Sequence, residues 1–461
     1  MADDRLPDLR KELDSVLRSG VVSIASKAMN PWVRLLYNVL LPVFCLLAAP
    51  AWILKMARRG GLDCGLLQRI GIYRGPSESE PQGVVYVHAV SVGEVRMALR
   101  LVERWNQRDS PRQFVIAATT STGFQLAKRE ASEGVRVIYS PLDLPPVLRI
   151  VFNRFKPALI VLIDSEIWPN LLHLSKQRGV PVALANARLS QRSARRYERL
   201  KCLTAPMLGQ IRIVCVQAAE HAQDWTRIGV CRDRLVITGS LKFDLDGVQA
   251  PMKRAEFRGM LESFGSARPV VLAASTHHEE ERFLAEAIRE VPGALAVLLP
   301  RHMERRREVQ SDLETAGFEV ILRSNFTPPE QPDAAVLLVD STGELGDWTA
   351  HADIVVIGKS FLGRGGQNPV EAVSAGVPVV CGPHMSNFEP LFSELRNASA
   401  IECVSQVEVA EKLRAILASE QRRRSLVANA RATVDQHRGA TDRIIMQLEE
   451  LIKKSSGENP D

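Results

Sequence analysis

The stretch VVYVHAVSVGEVRMALRLVERW (84–105) decides the fold class of this chain. Its first seven residues form a short apolar run of the kind that makes a fully buried strand. The residues that follow place Val95, Ala98, Leu99 and Val102 on one helical face. A buried strand followed at once by an amphipathic helix is the repeating unit of a parallel sheet with helices on its faces. The stretch therefore predicts a βα unit.

The same alternation continues along the chain in two series. Further strands of the first series are predicted at FVIAATT (114–120), VRVIYS (135–140), ALIVLID (158–164), PVALANA (181–187) and RIVCVQA (212–218). Strands of the second series are predicted at PVVLAAS (269–275), ALAVLLP (294–300), FEVILR (318–323), AAVLLVD (334–340), DIVVIGK (353–359) and VPVVCG (377–382). A polar stretch at 245–266 separates them, so we expect two Rossmann-like, doubly wound α/β domains, 61–250 and 265–440, that face a ligand-binding cleft. The amphipathic tail, 441–461, is expected to pack back across the domains as a helix.

Length and composition exclude several classes of protein. A chain of 461 residues with 46% hydrophobic and 24% charged residues is globular, which excludes a disordered protein, collagen, a coiled coil and a polytopic membrane protein. The seven cysteines are odd in number and form no C-x-x-C pair, so neither a disulfide framework nor a structural zinc site is predicted. No H-E-x-x-H motif occurs, and G-x-G-x-x-G is missing after the first-domain strands. We therefore expect no metal and no nicotinamide or flavin cofactor.

Residues 1–60 form an N-terminal extension that contains the uncharged segment LLYNVLLPVFCLLAAPAWIL (35–54). A run of about 20 apolar residues is long enough to cross a bilayer. Pro42 and Pro50 leave two alternatives, a broken amphipathic element in the plane of the interface and a buried core helix. The region 27–112 has a surplus of basic residues equal to the net charge of +6. Because the apolar segment lies inside this region, the surplus favours an anionic membrane over a nucleic acid as the partner.

The strongest phosphate signal in the second domain is SFLGRGGQNPVEAVSAG (360–376), a Gly-rich turn between a strand and a helix. Asn368 is a good helix cap and Pro369 suits the first helical turn, and N–H groups at such a start bind anions. The alternative is a tight strand–helix turn without a ligand. Arg301, at the end of a strand, and the turn at 342–344 belong to the same edge of the sheet. Together these loops predict an anion-binding site.

Carboxylates follow two strands of the first domain. Glu94 lies at a strand-to-helix junction, where it is either a catalytic base or a first-turn residue that interacts with the helix dipole. Asp164 and Glu166 follow the apolar strand at 158–164. Burying a carboxylate there is costly, so we expect these two to have charged or hydrogen-bonding partners or a catalytic role. The basic segment 188–201 is either a solvated helix face or a site for an anionic headgroup.

Nine ordered motifs together resemble those of the 3-deoxy-D-manno-octulosonic acid (Kdo) transferases of lipopolysaccharide synthesis. The resemblance extends over about residues 35–440 and is carried by HAVSVGE (88–94), DSEIWPN (164–170), NARLSQRS (186–193), GSLKFD (239–244), STH (275–277), PRHMER (300–305), GELG (343–346), GRGGQNPVEA (363–372) and GPHMSNF (382–388). It implies a GT-B fold, which has two Rossmann-like domains, and a membrane-associating N-terminus. It also implies that Kdo moves from CMP-Kdo to the lipid A precursor without a required metal.

The resemblance implies roles for individual residues. Glu94 matches the family's general base, and Asp164 and Lys242 match positions that stabilise the transition state. The positions that bind CMP match Pro300, Arg301, Thr342, Gly343, Glu344, Asn368, Pro369, Val370 and Glu371. The chain departs from the family pattern at three positions, with Asp164 in place of Glu, Lys359 in place of Gly and Gln367 in place of His.

The implied chemistry is an inverting single displacement. A carboxylate takes the proton from the attacking sugar hydroxyl, and the anionic CMP leaving group needs N–H groups and an arginine. The expected partners are CMP-Kdo, the anionic lipid A precursor (lipid IVA) and the membrane surface. The expected location is the inner membrane, with the catalytic domains on its cytoplasmic face. Two alternatives stay open: a sugar-nucleotide epimerase of similar two-domain fold, which needs no apolar segment, and a membrane-tethered nucleotide-sugar binder, which needs no Glu94.

Overall fold

The computed structural model describes residues 31–58, 65–76, 80–108, 112–244, 251–265 and 267–456. These residues belong to two compact units. The first unit holds the described residues up to Asp244 and those from Gly439 onward, and the second unit holds those within Leu245–Arg438. The predicted extension before residue 31 and the end of the predicted tail after residue 456 lie outside the described residues.

The described part of the first unit is built on a parallel sheet of seven strands. They are β1 (Val85–Ala89), β2 (Phe114–Ala118), β3 (Val135–Tyr139), β4 (Leu159–Ile163), β5 (Val182–Ala187), β6 (Ile213–Val216) and β7 (Leu235–Ile237). Their order in the sheet is β3-β2-β1-β4-β5-β6-β7, so the order reverses between β1 and β4. Doubly wound sheets bind ligands at the carboxyl ends of the strands beside such a reversal.

Helices cover both faces of this sheet. They are α1 (Pro31–Arg58), α2 (Gly65–Arg69), α3 (Val92–Asn106), α4 (Ser121–Glu130), α5 (Pro145–Phe155), α6 (Pro169–Gln177), α7 (Gln191–Arg199), α8 (Lys201–Leu208) and α9 (Ala219–Arg227). Each face has its own apolar core, with Trp225 fully buried on one side and Trp105 on the other. Because crossover helices cover both faces, β1, β2, β4 and β5 are buried along their whole length.

The second unit repeats the plan with a second parallel sheet. Its described strands are β8 (Val270–Thr276), β9 (Leu295–Pro300), β10 (Glu319–Leu322), β11 (Ala335–Leu338), β12 (Ile354–Ile357), β13 (Val379–Cys381) and β14 (Glu402–Cys403), in the order β10-β11-β9-β8-β12-β13-β14. Its helices are α10 (Ala255–Glu262), α11 (Glu280–Arg289), α12 (Arg306–Thr315), α13 (Leu345–His351), α14 (Val370–Ala375), α15 (Leu391–Asn397), α16 (Val409–Leu417) and α17 (Glu420–Asp435). The predicted fold class, two doubly wound parallel sheets, is therefore confirmed.

The last helix, α18 (Ala440–Ser456), belongs to the first unit. Its side chains Ile444, Ile445 and Leu448 are fully buried in the core that also contains α3. The Asp244 carboxylate accepts hydrogen bonds from the backbone N–H groups of Gly439, at 2.9 Å, and Thr441, at 2.8 Å. A buried carboxylate therefore fixes the start of α18 to the point where the chain leaves the first unit.

The apolar segment forms a single 28-residue helix, α1, that continues through Pro42 and Pro50. By length and composition the Pro31–Trp52 part is a candidate membrane span, and none of its most apolar window is buried. Leu46 and Leu47, for example, are 74% and 78% exposed. The alternative of a buried core helix is therefore wrong.

Candidate active site

Glu94 lies in the first turn of α3, directly beyond β1. The hydroxyl of Ser91 accepts from the Glu94 N–H at 3.3 Å and donates to Glu94 Oε1 at 2.8 Å, and the Val90 N–H donates to Oε2 at 2.7 Å. The Glu94 carboxylate is thus held over the start of the helix, as its first-turn position predicts. Burial raises the pKa of Glu94, and these hydrogen bonds oppose the rise. A pKa raised toward the working pH suits a general base as well.

Asp164 follows β4 with a left-handed backbone, φ +62°. Asp and Asn adopt this conformation more readily than most residues because their short polar side chains bond locally. The amide of Asn186, in β5, donates to Asp164 Oδ1 at 2.5 Å. The Asn186 Oδ1 atom accepts from the Leu241 N–H at 3.0 Å and from the Ser240 hydroxyl at 3.2 Å. Asn186 therefore connects Asp164 to the segment that leads into Lys242.

The charges of these residues act on one another. Burial raises the pKa of Asp164, while its bond to Asn186 and the positive charges of Arg188 and Lys242 oppose the rise. Burial also lowers the pKa of Lys242. Burial and the nearby Glu94 raise the pKa of Glu166 to about 7. The structure thus brings buried Glu94, half-buried Asp164 and partly exposed Lys242 together in one electrostatic cluster, with half-buried Glu166 as a fourth member.

Asn186 is a site residue that the sequence reasoning missed. It is 2% exposed, and a further bond, from the Gln217 amide to its carbonyl oxygen at 2.9 Å, fixes its backbone. The available signal was a single amide side chain in the otherwise apolar run PVALANA. A buried amide needs partners, and two of its partners here lie more than fifty residues along the chain.

In the second unit, Arg301 and Glu371 come together from different strand ends. Arg301 follows β9, and its N–H donates to the Thr276 carbonyl at 3.0 Å. Burial raises the pKa of Glu371, while the Arg301 charge and a hydrogen bond with Asn368 lower it. Pro300 is the last residue of β9 and is buried. These positions therefore form one polar group at the carboxyl edge of the second sheet.

The predicted helix start at Asn368 is off by one residue. The six-residue helix α14 begins at Val370, and Pro369 occupies the N-cap. Asn368 nevertheless accepts from the Val370 N–H through Oδ1, at 3.1 Å. Its side chain therefore still satisfies an N–H group at the start of the helix.

The turn at Thr342 and Gly343 precedes α13. Gly343 has φ +81°, a conformation that glycine adopts without strain. The Glu344 carboxylate accepts from Arg323 at 3.1 Å, from the Trp348 indole at 3.4 Å and from the Ser341 hydroxyl. Protein groups thus already engage this carboxylate, and its side chain holds the turn together.

Within the described ranges, no group of three or more His, Cys, Asp or Glu side chains is arranged to hold a metal ion. The carboxylates of both sites instead accept hydrogen bonds from amide or hydroxyl groups or lie near cationic side chains.

Two family models match separate parts of this chain. Residues 65–245 match the family model described as 3-deoxy-D-manno-octulosonic-acid transferase (kdotransferase), and residues 363–450 match one described as glycosyl transferase-like. The crystal structure of UDP-GlcNAc 2-epimerase from Neisseria meningitidis bound to UDP-GlcNAc covers 79% of this chain and 99% of that chain, with a TM-score of 0.51. It is 12% identical in sequence, so this likeness shows the two-domain GT-B fold alone.

Two relatives settle the family. The 3-deoxy-D-manno-octulosonic acid transferase of Haemophilus influenzae is 33% identical over 397 residues, which cover 85% of this chain and 92% of that protein. The 3-deoxy-D-manno-octulosonic acid transferase of Bordetella pertussis is 32% identical and covers 87% of this chain and 95% of that protein. The epimerase and the non-enzymatic binder are thereby excluded. The chain is a glycosyltransferase and belongs to the 3-deoxy-D-manno-octulosonic acid transferase family.

Proposed function

We propose that this protein transfers Kdo from CMP-Kdo to the lipid A precursor, lipid IVA, by an inverting single displacement with Glu94 as the general base. The observation that carries the proposal is the cluster of buried Glu94, half-buried Asp164 and partly exposed Lys242 at the carboxyl edge of the first sheet. In a Kdo transferase the acceptor hydroxyl needs a positioned carboxylate to take its proton, and Glu94 has the burial and the raised pKa for this task.

In this reaction the acceptor oxygen forms a bond to the anomeric carbon of Kdo while the bond from that carbon to the phosphate oxygen breaks. The electron pair of the broken bond leaves with CMP, and the hydroxyl proton passes to Glu94. Positive charge develops on the sugar ring, where the Asp164 carboxylate stabilises it; Lys242 balances the negative charge in the same cluster.

The second unit binds the donor, CMP-Kdo. The guanidinium of Arg301 pairs with the phosphate of CMP, since its charge-assisted hydrogen bonds to phosphate are about twice as strong as those between neutral groups. Asn368 and Glu371 bind the nucleoside, with the Glu371 carboxylate accepting from a ribose hydroxyl. Pro300, Thr342, Gly343, Glu344, Pro369 and Val370 shape the walls of the same CMP site.

In this proposal, helix α1 lies on the membrane surface and does not span the bilayer. The Tyr37 hydroxyl donates to Asp143 at 3.0 Å, and the Asn170 amide donates to Asn38 at 2.6 Å. Trp52 follows Tyr37 by fifteen residues, and the Arg69 guanidinium lies over its ring, 4.8 Å from the centroid. At 1.5 Å per residue these contacts extend over about 22 Å of the helix. One face is thus fixed to the first unit over about half of the 28-residue helix, so the apolar face enters the interface in the plane of the bilayer.

This arrangement presents the site to a lipid acceptor. The exposed apolar side chains of α1 enter the cytoplasmic leaflet of the inner membrane, and the arginine-rich α7 offers charge to anionic headgroups. The expected occupant is lipid IVA, whose phosphates are anionic. No nucleic acid is expected as a partner.

Mass spectrometry of lipid IVA incubated with CMP-Kdo and the purified protein tests the proposal. We expect a mass increase of one or more Kdo units, together with release of CMP. Glu94→Gln should bind CMP as wild type does and lose transfer by about 10²–10⁴-fold. Release of CMP without a lipid product, or transfer by Glu94→Gln within threefold of wild type, would contradict the acceptor or the base, respectively.

A further inference from the structure

Helix α11 begins with two buried carboxylates that the proposed reaction does not use. Glu280 is 0% exposed and Glu281 is 3% exposed, whereas their neighbour Glu279 is exposed. A carboxylate that is buried without partners is strongly disfavoured. The partners of these two side chains therefore indicate what they are for.

The Glu280 carboxylate accepts from four backbone N–H groups. Oε2 accepts from Lys359 at 2.5 Å and from His277 at 3.0 Å. Oε1 accepts from Phe361 at 3.2 Å and from Leu362 at 3.4 Å. Three of the four donors belong to residues 359–362, the start of the Gly-rich segment that leads to the donor-binding positions. We call residues 359–362 the donor loop.

The donor loop has a backbone that needs such support. Lys359 has φ +56°, a left-handed conformation that is unfavourable for lysine. Its N–H is held by Glu280, and its carbonyl accepts from the Gly366 N–H at 2.9 Å. Both polar groups of the Lys359 backbone are therefore fixed, and Gly366 lies two residues before Asn368. The conformation of the donor loop therefore helps to fix the position of the residues proposed to bind CMP.

The neighbouring Glu281 acts on the other donor-binding segment. Its carboxylate accepts from the Thr276 hydroxyl at 3.0 Å and from Arg305 at 2.9 Å. Arg305 lies four residues beyond Arg301. The first turn of α11 therefore holds both segments, and Glu280 holds the one that is closer in sequence to Asn368 and Glu371.

We infer that Glu280 is a positioning residue for donor binding: its buried carboxylate fixes the donor loop in the conformation that receives the nucleotide, without touching the nucleotide itself. The inference rests on the proposed function, in which the second unit binds CMP-Kdo. The bonds require a full carboxylate, because each oxygen accepts from two N–H groups.

Glu280→Gln tests this inference with a change of one atom. The amide NH₂ of glutamine would face two N–H groups that have lost their acceptor, so the donor loop should move. A displacement on the order of 1 Å can cost up to about 10²-fold. We therefore expect the Kd for CMP, measured by calorimetry on the full chain, to rise by about 10- to 100-fold. The KM for CMP-Kdo should rise with it, while the KM for the lipid acceptor stays unchanged.

Two control variants separate positioning from simple loss of stability. Glu279→Gln removes an exposed neighbour and should leave the CMP affinity unchanged. Ile288→Val removes one methyl group from the buried face of the same helix and should lower the unfolding temperature without weakening CMP binding. If wild type binds CMP and Glu280→Gln binds it within threefold of wild type, the inference is wrong. If wild type does not bind CMP at all, the proposed function fails first.

Hydrogen exchange on the wild-type protein covers the case in which Glu280→Gln does not fold. The N–H groups of Lys359, Phe361 and Leu362 should be protected in the free protein, because Glu280 already holds them before the nucleotide arrives. Exchange of these three N–H groups at the rate of exposed amides would overturn the inference without any variant.

Discussion

Replacing Asn186 by aspartate would set two carboxylates against each other at the centre of the first-unit cluster. The substitution keeps the size of the side chain, the tolerance for φ +58° and the oxygen that accepts from Leu241 and Ser240. It replaces the N–H group that donates to Asp164 with a second acceptor. Two unit charges at the observed 2.5 Å repel by about 7 kcal/mol at an effective dielectric constant of 20, an upper limit. The pair avoids this repulsion by keeping one proton, as closely paired carboxylates do.

The retained proton determines whether the free energy of unfolding rises or falls with pH. An acid whose pKa is raised in the folded state makes the protein less stable as pH rises from the unfolded pKa to the folded one. Asn186→Asp should therefore lose stability relative to wild type as pH rises above about 4, the ordinary pKa of an aspartate. The acidic limb of kcat/KM should move to higher pH by more than about one unit, since Asp164 now shares a proton at neutral pH. Chemical denaturation and kcat/KM measured across this pH range give both quantities.

A double variant provides the matched control. Asn186→Asp with Asp164→Asn exchanges the two groups and restores one donor and one acceptor. We expect it to recover much of the lost free energy of unfolding, but to stay at least about 10²-fold below wild type in turnover, because the carboxylate lies on the wrong strand. An unmoved acidic limb in Asn186→Asp would refute the reasoning that Asn186 sets the charge of Asp164.

The other expected outcomes concern the donor, the base, the membrane face and the donor loop. Arg301→Ala should weaken CMP binding by about 10- to 100-fold by calorimetry, from the loss of one charge-assisted contact worth roughly 1.5–3 kcal/mol; unchanged affinity would remove Arg301 from the site. Because burial raises the pKa of Glu94, kcat/KM of wild type should fall as pH drops through a value above the ordinary 4.5 of a glutamate, and Glu94→Gln should lack this limb. Leu46→Gln with Leu47→Gln should leave the unfolding temperature unchanged and reduce co-sedimentation with anionic vesicles; equal sedimentation would contradict the membrane role of α1. Lys359→Gly should raise the free energy of unfolding by about 1 kcal/mol, because glycine adopts the left-handed conformation freely; a loss of stability would mean that the lysine side chain contributes more than its strained backbone costs.

The parts of the fold that follow local patterns could be predicted from the sequence. Strands such as β1 and β4 are continuous apolar runs, and α3 has a helical spacing, so their type and place are determined within a few residues. The edge strands β7 and β14 were missed because they have three and two residues and no distinctive pattern. Their strand conformation depends on the neighbouring strand with which they pair.

The site divides in the same way. Glu94 could be predicted as a candidate general base because it lies at a strand-to-helix junction inside a recognisable motif. Asn186 and Glu280 could not, because their function lies in bonds to residues about 55 and 80 positions away along the chain. Such a residue looks like any other polar side chain in the sequence. Its burial and its partners become visible only after the chain has folded.

The attachment of α18 to the first unit has a consequence for how this protein is made. The first sheet is encoded before residue 244, but the helix that covers α3 is encoded after residue 438. During synthesis, the apolar surface of α3 that α18 covers therefore stays exposed until the whole of the second unit has been synthesised. The second unit, whose sequence is continuous, can complete its core first, although its sequence starts later. The first unit can therefore complete its core only after the second unit has been synthesised, which departs from the usual N-terminal-first order, and α18 is the helix that then covers α3.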